Sequence, residues 1–164
     1  TELPRPSVLR ALRKFEHVGV LKAEKRANAK FYLLNKNKQS VFLLSSLEYE
    51  KTEQFLKNFP GIKTAADLFI EEMRPIIALI FGSYAKGYAS KKSDLDLLLI
   101  NEFGKNAIKK SEEISQLAQG RTGVHVSPIL MKRGDLKKKN DFVKEVIEAH
   151  FILKGAELFY EETL

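Results

Sequence analysis

An otherwise apolar run of strand length, residues 95–100, contains Asp96 and directly follows Asp94. Residues two apart in a strand share a face, so both carboxylates point to one side while Leu95 and Leu97 point into the core. Neighbouring carboxylates repel each other and are costly beside apolar residues unless a cation neutralises them. Such oxygen ligands suit Mg²⁺ or Mn²⁺, and Mg²⁺ commonly leaves several positions to water and phosphate oxygens. We therefore predict a metal site with Asp94 and Asp96 as ligands.

A glycine and a serine, Gly82 and Ser83, follow the preceding apolar run, residues 76–81. Glycine lets the backbone approach a phosphate closely, and the serine hydroxyl with the N–H groups of the next turn can bind phosphate oxygens. The two features predict a nucleoside triphosphate bound between two strand ends. The candidate phosphate-binding residues are Gly82, Ser83, Tyr84, Lys86 and Ser93, and Lys91 and Lys92 either add positive charge or are ordinary exposed loop lysines.

The elements that must position these residues follow from the hydrophobic pattern. Both apolar runs are continuous, which is typical of central strands. Helical patterns surround them, so we predict an α/β (α+β) body, a small mixed sheet with flanking helices. The predicted elements are helices 46–59 and 62–73, strands 76–81, 95–100 and 123–131, and helices 106–118 and 141–153, the last with Phe142, Val146 and Ala149 facing inward.

The positive charge of the chain is concentrated at its start. Residues 1–40 hold ten Lys and Arg against three Glu, which accounts for the net charge of +7, while the other 124 residues are neutral. Within them, residues 8–18 follow helical spacing after Ser7, a favourable N-cap, and two short runs then flank the turn 27–29. We expect contact with a polyanion in this segment.

The order of a helix and then a β-hairpin resembles the second half of the winged helix-turn-helix of prokaryotic transcription regulators. The resemblance implies DNA binding, and the alternative is a merely solvated basic face. Two helices normally precede the recognition helix, and only TELP precedes it here. We expect the apolar face with Val8, Leu12 and Phe15 to pack on the rest of the chain or on a second subunit. The candidate nucleic-acid-binding residues are Arg10, Arg13, Lys14, Arg26 and Lys30.

Composition narrows the class of protein. The length of 164 residues supports one ordinary domain, or one domain with a small appendage, and a hydrophobic content of 44% is enough to build a core. It has no cysteine, which argues against disulfides, thiolate zinc sites and cysteine nucleophiles. We find no apolar signal segment and no run of roughly 18 apolar residues that would span a membrane. We therefore expect a cytoplasmic globular protein.

The spacing of the site residues is similar to that of a known superfamily. Gly82-Ser83, ten intervening residues and Asp94-Leu95-Asp96, with Gly87 and Ser93, resemble the signature of the DNA polymerase β-like nucleotidyltransferases. The resemblance covers roughly residues 65–155 and is strongest to the minimal nucleotidyltransferases of archaea and bacteria. It implies that a hydroxyl attacks the α-phosphorus of an NTP, with Mg²⁺ or Mn²⁺ held by the two aspartates. The implied domains are 1–40, a partial winged helix, 41–74, linking helices, and 75–164, the nucleotidyltransferase domain.

The superfamily usually places a third acidic residue on a neighbouring strand. Here that strand is predicted at 123–131, its candidate position holds His125, and no Asp or Glu occurs from 114 to 134. His125 is a substitute ligand or base, or it fills the pocket of a weakened enzyme, or it is an ordinary strand histidine outside the site. We assign no catalytic role to His17 or His150.

These observations favour one function and leave an alternative. The leading hypothesis is an enzyme that transfers a nucleoside monophosphate to a hydroxyl of a protein, RNA or small molecule. In similar small nucleotidyltransferases the partner is often a second protein, as in toxin and antitoxin pairs, so the resemblance implies a toxin-like acceptor. A homodimer is the expectation if the face with Val8, Leu12 and Phe15 packs on a second subunit. The alternative is a catalytically weak nucleotide sensor coupled to a DNA-binding regulator. A purely structural role has to explain two unpaired aspartates on a core strand.

Overall fold

The computed structural model describes residues 4–90, 93–138 and 140–164. They form two compact units, one that ends at Leu47 and includes Leu164, and one that spans Glu48–Thr163. In chain order the elements are α1 (Arg5–His17), β1 (Leu21–Arg26), β2 (Ala29–Leu34), α2 (Lys38–Asn58), α3 (Pro60–Met73), β3 (Ile77–Ile80), α4 (Gly82–Ala85), β4 (Leu95–Ile100), α5 (Ala107–Thr122), β5 (Val126–Met131), a 3-10 helix (Arg133–Lys138), α6 (Asp141–Glu148), β6 (Phe151–Lys154) and α7 (Ala156–Thr163).

The smaller unit contains the predicted helix and β-hairpin. Strands β1 and β2 pair in antiparallel register from Leu21↔Leu34 to Arg26↔Ala29. Helix α1 begins at Arg5 rather than after Ser7, so the predicted N-cap at Ser7 is wrong. Proline near the helix start explains the difference, since its fixed φ favours the first turn, where no N–H bond is lost. The predicted packing of the α1 apolar face stays a prediction.

The larger unit is built on a mixed four-stranded sheet in the order β5-β4-β3-β6. Strand β4 runs parallel to β5 and antiparallel to β3, and β3 is antiparallel to β6. Alternate residues of β3 and β4 face two hydrophobic clusters, one of which packs against α3 and α5 and the other against α6 and α7. Both faces of the central strands are therefore buried, which explains their continuous apolar sequence and confirms the predicted fold class.

Each outer edge of the sheet carries a distinct feature. At β6, the N–H of Ile152 donates to Glu48 Oε1 at 3.0 Å, although 104 residues separate the two. At β5, the carbonyls of His125 and Met131 accept hydrogen bonds from the β4 side. Backbone polar groups alternate in direction along a strand, and Pro128 is three residues from each of the two, so its nitrogen faces away from β4. Ser115 Oγ covers the neighbouring outward carbonyl of Val126 at 3.3 Å.

Several predicted elements have different ends in the structure. Helix α5 runs to Thr122 rather than 118, and β5 begins at Val126 rather than 123. The predicted helix 141–153 stops at Glu148, and residues 151–154 form β6, because that segment pairs with β3 and closes the sheet. Ala149 is consequently the residue after α6 and not part of its inner face. Helix α2 begins at Lys38 instead of 46, since the Asn37 side chain accepts from the Ser40 N–H and caps it. No described helix is long and apolar enough to cross a membrane.

Candidate active site

The start of β4 brings the two predicted carboxylates to one end of the sheet. Strand β4 begins at Leu95, which is fully buried, as is Leu97. Asp94, by contrast, keeps a side chain that is 52% exposed, and Asp96 is half-buried. The alternation predicted from the sequence is therefore present, with leucines in the core and aspartates at the surface.

The turn after β3 holds Gly82 against Asp96. Gly82 has φ +67°, and a Cβ built on it would collide with the Asp96 carboxylate, with Cγ only 2.9 Å away. Glycine is needed at this position for two reasons. Residues with a side chain disfavour a positive φ, and the Asp96 carboxylate leaves no room for a Cβ atom. The Phe81 N–H also donates to the Asp96 carbonyl at 3.1 Å, and the Ser83 N–H donates to its carboxylate. The two predicted halves of the site are therefore in direct contact.

The environment of Asp96 disfavours its negative charge. Burial raises the pKa of Asp96 above its ordinary value, and the charge of Asp94 raises it further. The Ser83 N–H opposes this shift, and the charge of Glu145 adds to it. Among the described residues no Lys, Arg or His forms an ion pair with Asp96. The carboxylate therefore gains from a cation bound beside it.

His125 lies next to Asp94. Its carbonyl accepts from the Leu95 N–H at 2.8 Å, so the residue just before β5 lies beside Asp94, the residue just before the parallel strand β4. The prediction that placed His125 on the strand is wrong, because β5 begins at Val126. Its Nδ1 is 3.2 Å from Asp94 Oδ1, and both side chains are more than half exposed. The predicted position opposite the aspartates is thus held by a histidine that contacts one of them.

Lys86 and Glu145 form an ion pair that the sequence did not reveal. Lys86 Nζ lies 2.6 Å from Glu145 Oε1, and this hydrogen bond raises the pKa of the lysine. Glu145 comes from α6, which is 59 residues further along the chain. No local sequence pattern identifies Glu145 as a site residue, because only the fold brings it next to Lys86. The predicted phosphate-binding cation therefore has a carboxylate partner in the free protein.

The other predicted phosphate-binding residues differ in their surroundings. The ring of Tyr84 makes edge contacts with Phe55 and Phe59, with centroids 6.4 and 5.8 Å away, so it anchors the turn. The Ser93 hydroxyl accepts from the Ser90 N–H at 2.9 Å and is used within the loop. Lys91 and Lys92 lie outside the described residues.

The two carboxylates suit a divalent cation whose remaining ligands come from water or from a substrate. In the part of the chain that the structure describes, no three carboxylate, imidazole or thiol groups converge closely enough to hold a metal ion. Asp94 and Asp96 nevertheless present oxygens on one face, and their mutual repulsion favours a cation. Such an ion would be held by these two side chains and by water or phosphate oxygens, which is common for Mg²⁺.

The basic residues of the smaller unit fall into two groups. Arg26 pairs with Glu24 at 2.9 Å and Lys30 with Glu16 at 2.8 Å. Both also lie over aromatic rings of β2, at 5.6 and 4.8 Å from the centroids. On α1, Arg10, Arg13 and Lys14 have no such acidic partner among the described residues. These three side chains of the helix therefore offer unpaired positive charge, whereas Arg26 and Lys30 of the hairpin are each paired with a glutamate.

Comparison with known proteins agrees with the resemblance noted in the sequence. The family described as "Polymerase beta, Nucleotidyltransferase" matches residues 63–162, a stretch that includes Gly82, Ser83, Asp94 and Asp96. A protein of Methanocaldococcus jannaschii, provisionally named a protein adenylyltransferase, is 30% identical over 95 residues. That alignment covers 54% of this chain and 65% of the relative, which is less than two thirds of its length.

A solved structure described as a toxin-antitoxin with AMP-PNP also matches, at 21% identity and a TM-score of 0.42. The match covers 60% of this chain and 82% of that chain. The family match spans more than half of this chain and confirms the predicted superfamily, whereas the winged-helix resemblance of the first 40 residues stays a prediction.

Proposed function

We propose that this chain moves a nucleoside monophosphate from an NTP to a hydroxyl acceptor and uses Mg²⁺ or Mn²⁺. The chain belongs to the polymerase beta nucleotidyltransferase family and is therefore a transferase. The name of its archaeal relative favours ATP as the donor and a protein hydroxyl as the acceptor. We extend this to a partner protein of the toxin-like kind implied by the resemblance.

The observation that carries the proposal is the contact between Gly82 and Asp96. A phosphate cradle and a cation ligand that touch each other suit a substrate whose phosphates bridge protein donors and a metal ion. In this proposal Gly82 and Ser83 hold the β and γ phosphates, and Asp94 and Asp96 hold the cation. The cation would supply charge neutralisation of the phosphates. The acceptor oxygen bonds to the α-phosphorus, the bond to the β-phosphate oxygen breaks, and pyrophosphate leaves.

His125 has a limited role in this proposal. A neutral imidazole can accept the proton of the acceptor hydroxyl, but it adds no negative charge to a metal site. Its contact with Asp94 at 3.2 Å keeps it close to the reacting groups. We therefore propose His125 as a candidate base, in an enzyme whose turnover is impaired by the missing third carboxylate.

Transfer of label tests the proposed function. The purified chain is incubated with α-³²P-ATP, Mg²⁺ or Mn²⁺ and a cell extract, and labelled protein is followed. We expect label on an acceptor, and at least a hundredfold less from Asp94→Asn/Asp96→Asn, because these amides cannot neutralise a cation. Asp141→Asn, which alters a 99% exposed side chain on α6, should match the wild type. Nucleotide binding with no labelled acceptor under either metal would refute the enzyme and leave the sensor.

A second function is favoured by the uncompensated charge on α1. In this alternative the nucleotide site is a sensor coupled to DNA binding by Arg10, Arg13 and Lys14. Duplex binding should weaken steeply with salt, and Arg10→Ala/Arg13→Ala should reduce the slope by about one per lost phosphate contact. Arg26→Ala/Lys30→Ala is the matched control, since both residues are already paired with glutamates. Salt-independent binding, or equal losses in the two variants, would exclude this alternative.

A further inference from the structure

The ion pair of Lys86 and Glu145 joins the candidate nucleotide site to α6. Lys86 caps the C-terminus of α4, the short helix that begins at Gly82, and its N–H donates to the Gly82 carbonyl at 3.0 Å. Its Nζ lies 2.6 Å from Glu145 Oε1. The side chains are 30% and 43% exposed, so solvent and solutes reach the pair. An ion pair with this exposure is weak enough to exchange partners.

The backbones on both sides of the pair are held firmly. Helix α6 is capped by the Asn140 side chain, which accepts from the Val143 N–H at 2.9 Å, and buries Val143 and Val146 completely. On the other side, the turn at Gly82 is fixed by its contact with Asp96. The two charged side chains can therefore change partners while the elements that carry them stay in place.

The charges around the pair favour such an exchange. Glu145 lies close enough to Asp96 to raise the pKa of that carboxyl, so its field reaches the cation side of the site. Lys86 offsets this field in the free protein. A triphosphate carries more negative charge than a carboxylate and offers more acceptor oxygens, so it competes strongly for Lys86 and repels Glu145.

We propose that Lys86 and Glu145 form an exchangeable ion pair of the nucleotide site. The triphosphate takes over Lys86, and the released Glu145 carboxylate then adds negative charge on the Asp96 side of the site, whereas the residue before β5 is His125 and adds none. This inference rests on the proposed function and assigns α6 a part in it. Glu145 acts through Lys86 and through its field, and it is therefore a positioning residue.

Opposite effects on an anion and on a cation test the exchange. We would measure the Kd of the full chain for ATP in EDTA and for Mn²⁺ alone, at low ionic strength. Glu145→Gln frees Lys86, so ATP should bind about threefold more tightly and Mn²⁺ about threefold more weakly. Lys86→Met leaves Glu145 uncompensated, so both shifts should reverse, and the double variant should return Mn²⁺ binding close to the wild type.

Matched variants on the same helix control for general effects of charge. Lys144 and Asp141 form an exposed pair at 2.9 Å that lies outside the candidate site. Lys144→Met and Asp141→Asn should leave both Kd values within about twofold of the wild type. Shifts in Glu145→Gln and Lys86→Met no larger than in these controls, or of the same sign for both ligands, would overturn the exchange alone. A wild-type chain that binds neither ATP nor Mn²⁺ would overturn the proposed function and the exchange with it.

Discussion

Glu48 is more deeply buried than Asp96, yet four donors surround its carboxylate. Its oxygens lie 3.0 Å from the Ile152 N–H, 3.4 Å from the Thr52 hydroxyl, 3.2 Å from the Tyr160 hydroxyl and 2.6 Å from Lys51 Nζ. Asp96 receives the Ser83 N–H and faces the like charge of Asp94. Buried charge is tolerated where its hydrogen bonds are complete. The hydrogen bonds of Glu48 therefore stabilise the fold, whereas the negative charge of Asp94 and Asp96 remains available to bind a cation.

The largest loss of stability should come from removing the Glu48 carboxylate. We call Glu48 and the buried groups around it, among them His150, the structural group. Glu48→Ala should lower the free energy of unfolding by about 3 kcal/mol, because it leaves buried donors without an acceptor. Urea denaturation measures this loss. Glu50→Ala, an exposed position on the same helix, should cost less than about 0.5 kcal/mol. Similar costs for the two variants would show that the buried group does not stabilise the fold.

The second prediction concerns the backbone that supports Asp96. Gly82→Ala should cost about 2–3 kcal/mol, because it combines a positive φ with a collision against Asp96. Gly87→Ala, at φ +79° with open space around it, should cost only about 1 kcal/mol for the conformation. Thermal unfolding of both variants gives the comparison. Equal losses would mean that the close approach to Asp96 has no energetic weight.

The third prediction is a pH dependence from the structural group. Burial lowers the pKa of His150 below 6.5, despite the opposing charge of Glu48. The unfolded chain then binds the proton first, so the stability contribution is complete above about pH 6.5 and declines as pH falls towards the lowered pKa. We expect stability to fall between pH 7 and 5 in the wild type and in the exposed-site variant His17→Gln, and His150→Phe to remove this loss. An unchanged slope in His150→Phe would contradict this assignment.

The smallest effect should come from the aspartates and have the opposite sign. The pKa of Asp96 is raised in the folded chain above its ordinary value of 3.8. At a pH above 3.8 the carboxyl therefore ionises more readily in the unfolded chain, which lowers the stability of the folded protein. Asp96→Asn should therefore raise stability at pH 7 by less than about 1 kcal/mol, and the gain should shrink as pH falls towards 3.8. Asp67→Asn, which breaks an exposed pair with Lys63, should give a slight loss instead. Melting curves at several pH values separate the two signs.

The sequence predicted the local parts of the site and missed the parts that depend on distant residues. Strand 95–100 was predicted with its observed ends, because an apolar run with aspartates at its start specifies both the strand and its faces. Glu145 and Glu48 look like ordinary helix-surface residues, since their partners lie 59 and up to 112 residues away. The same limit applies to β6, whose pairing with β3 overrides a helical pattern that continues past Glu148.

The two edges of the sheet restrict how another protein could bind this chain. Strand addition requires a row of free N–H and C=O groups along an edge. The Glu48 carboxylate occupies the Ile152 donor on β6, and Pro128 removes a donor from β5, where proline is tolerated because the edge is unpaired. Neither edge offers an uninterrupted template. A partner protein that binds the larger unit would then have to be recognised through side-chain surfaces rather than by strand addition to this sheet, and the same interruptions disfavour edge-to-edge aggregation of the sheet.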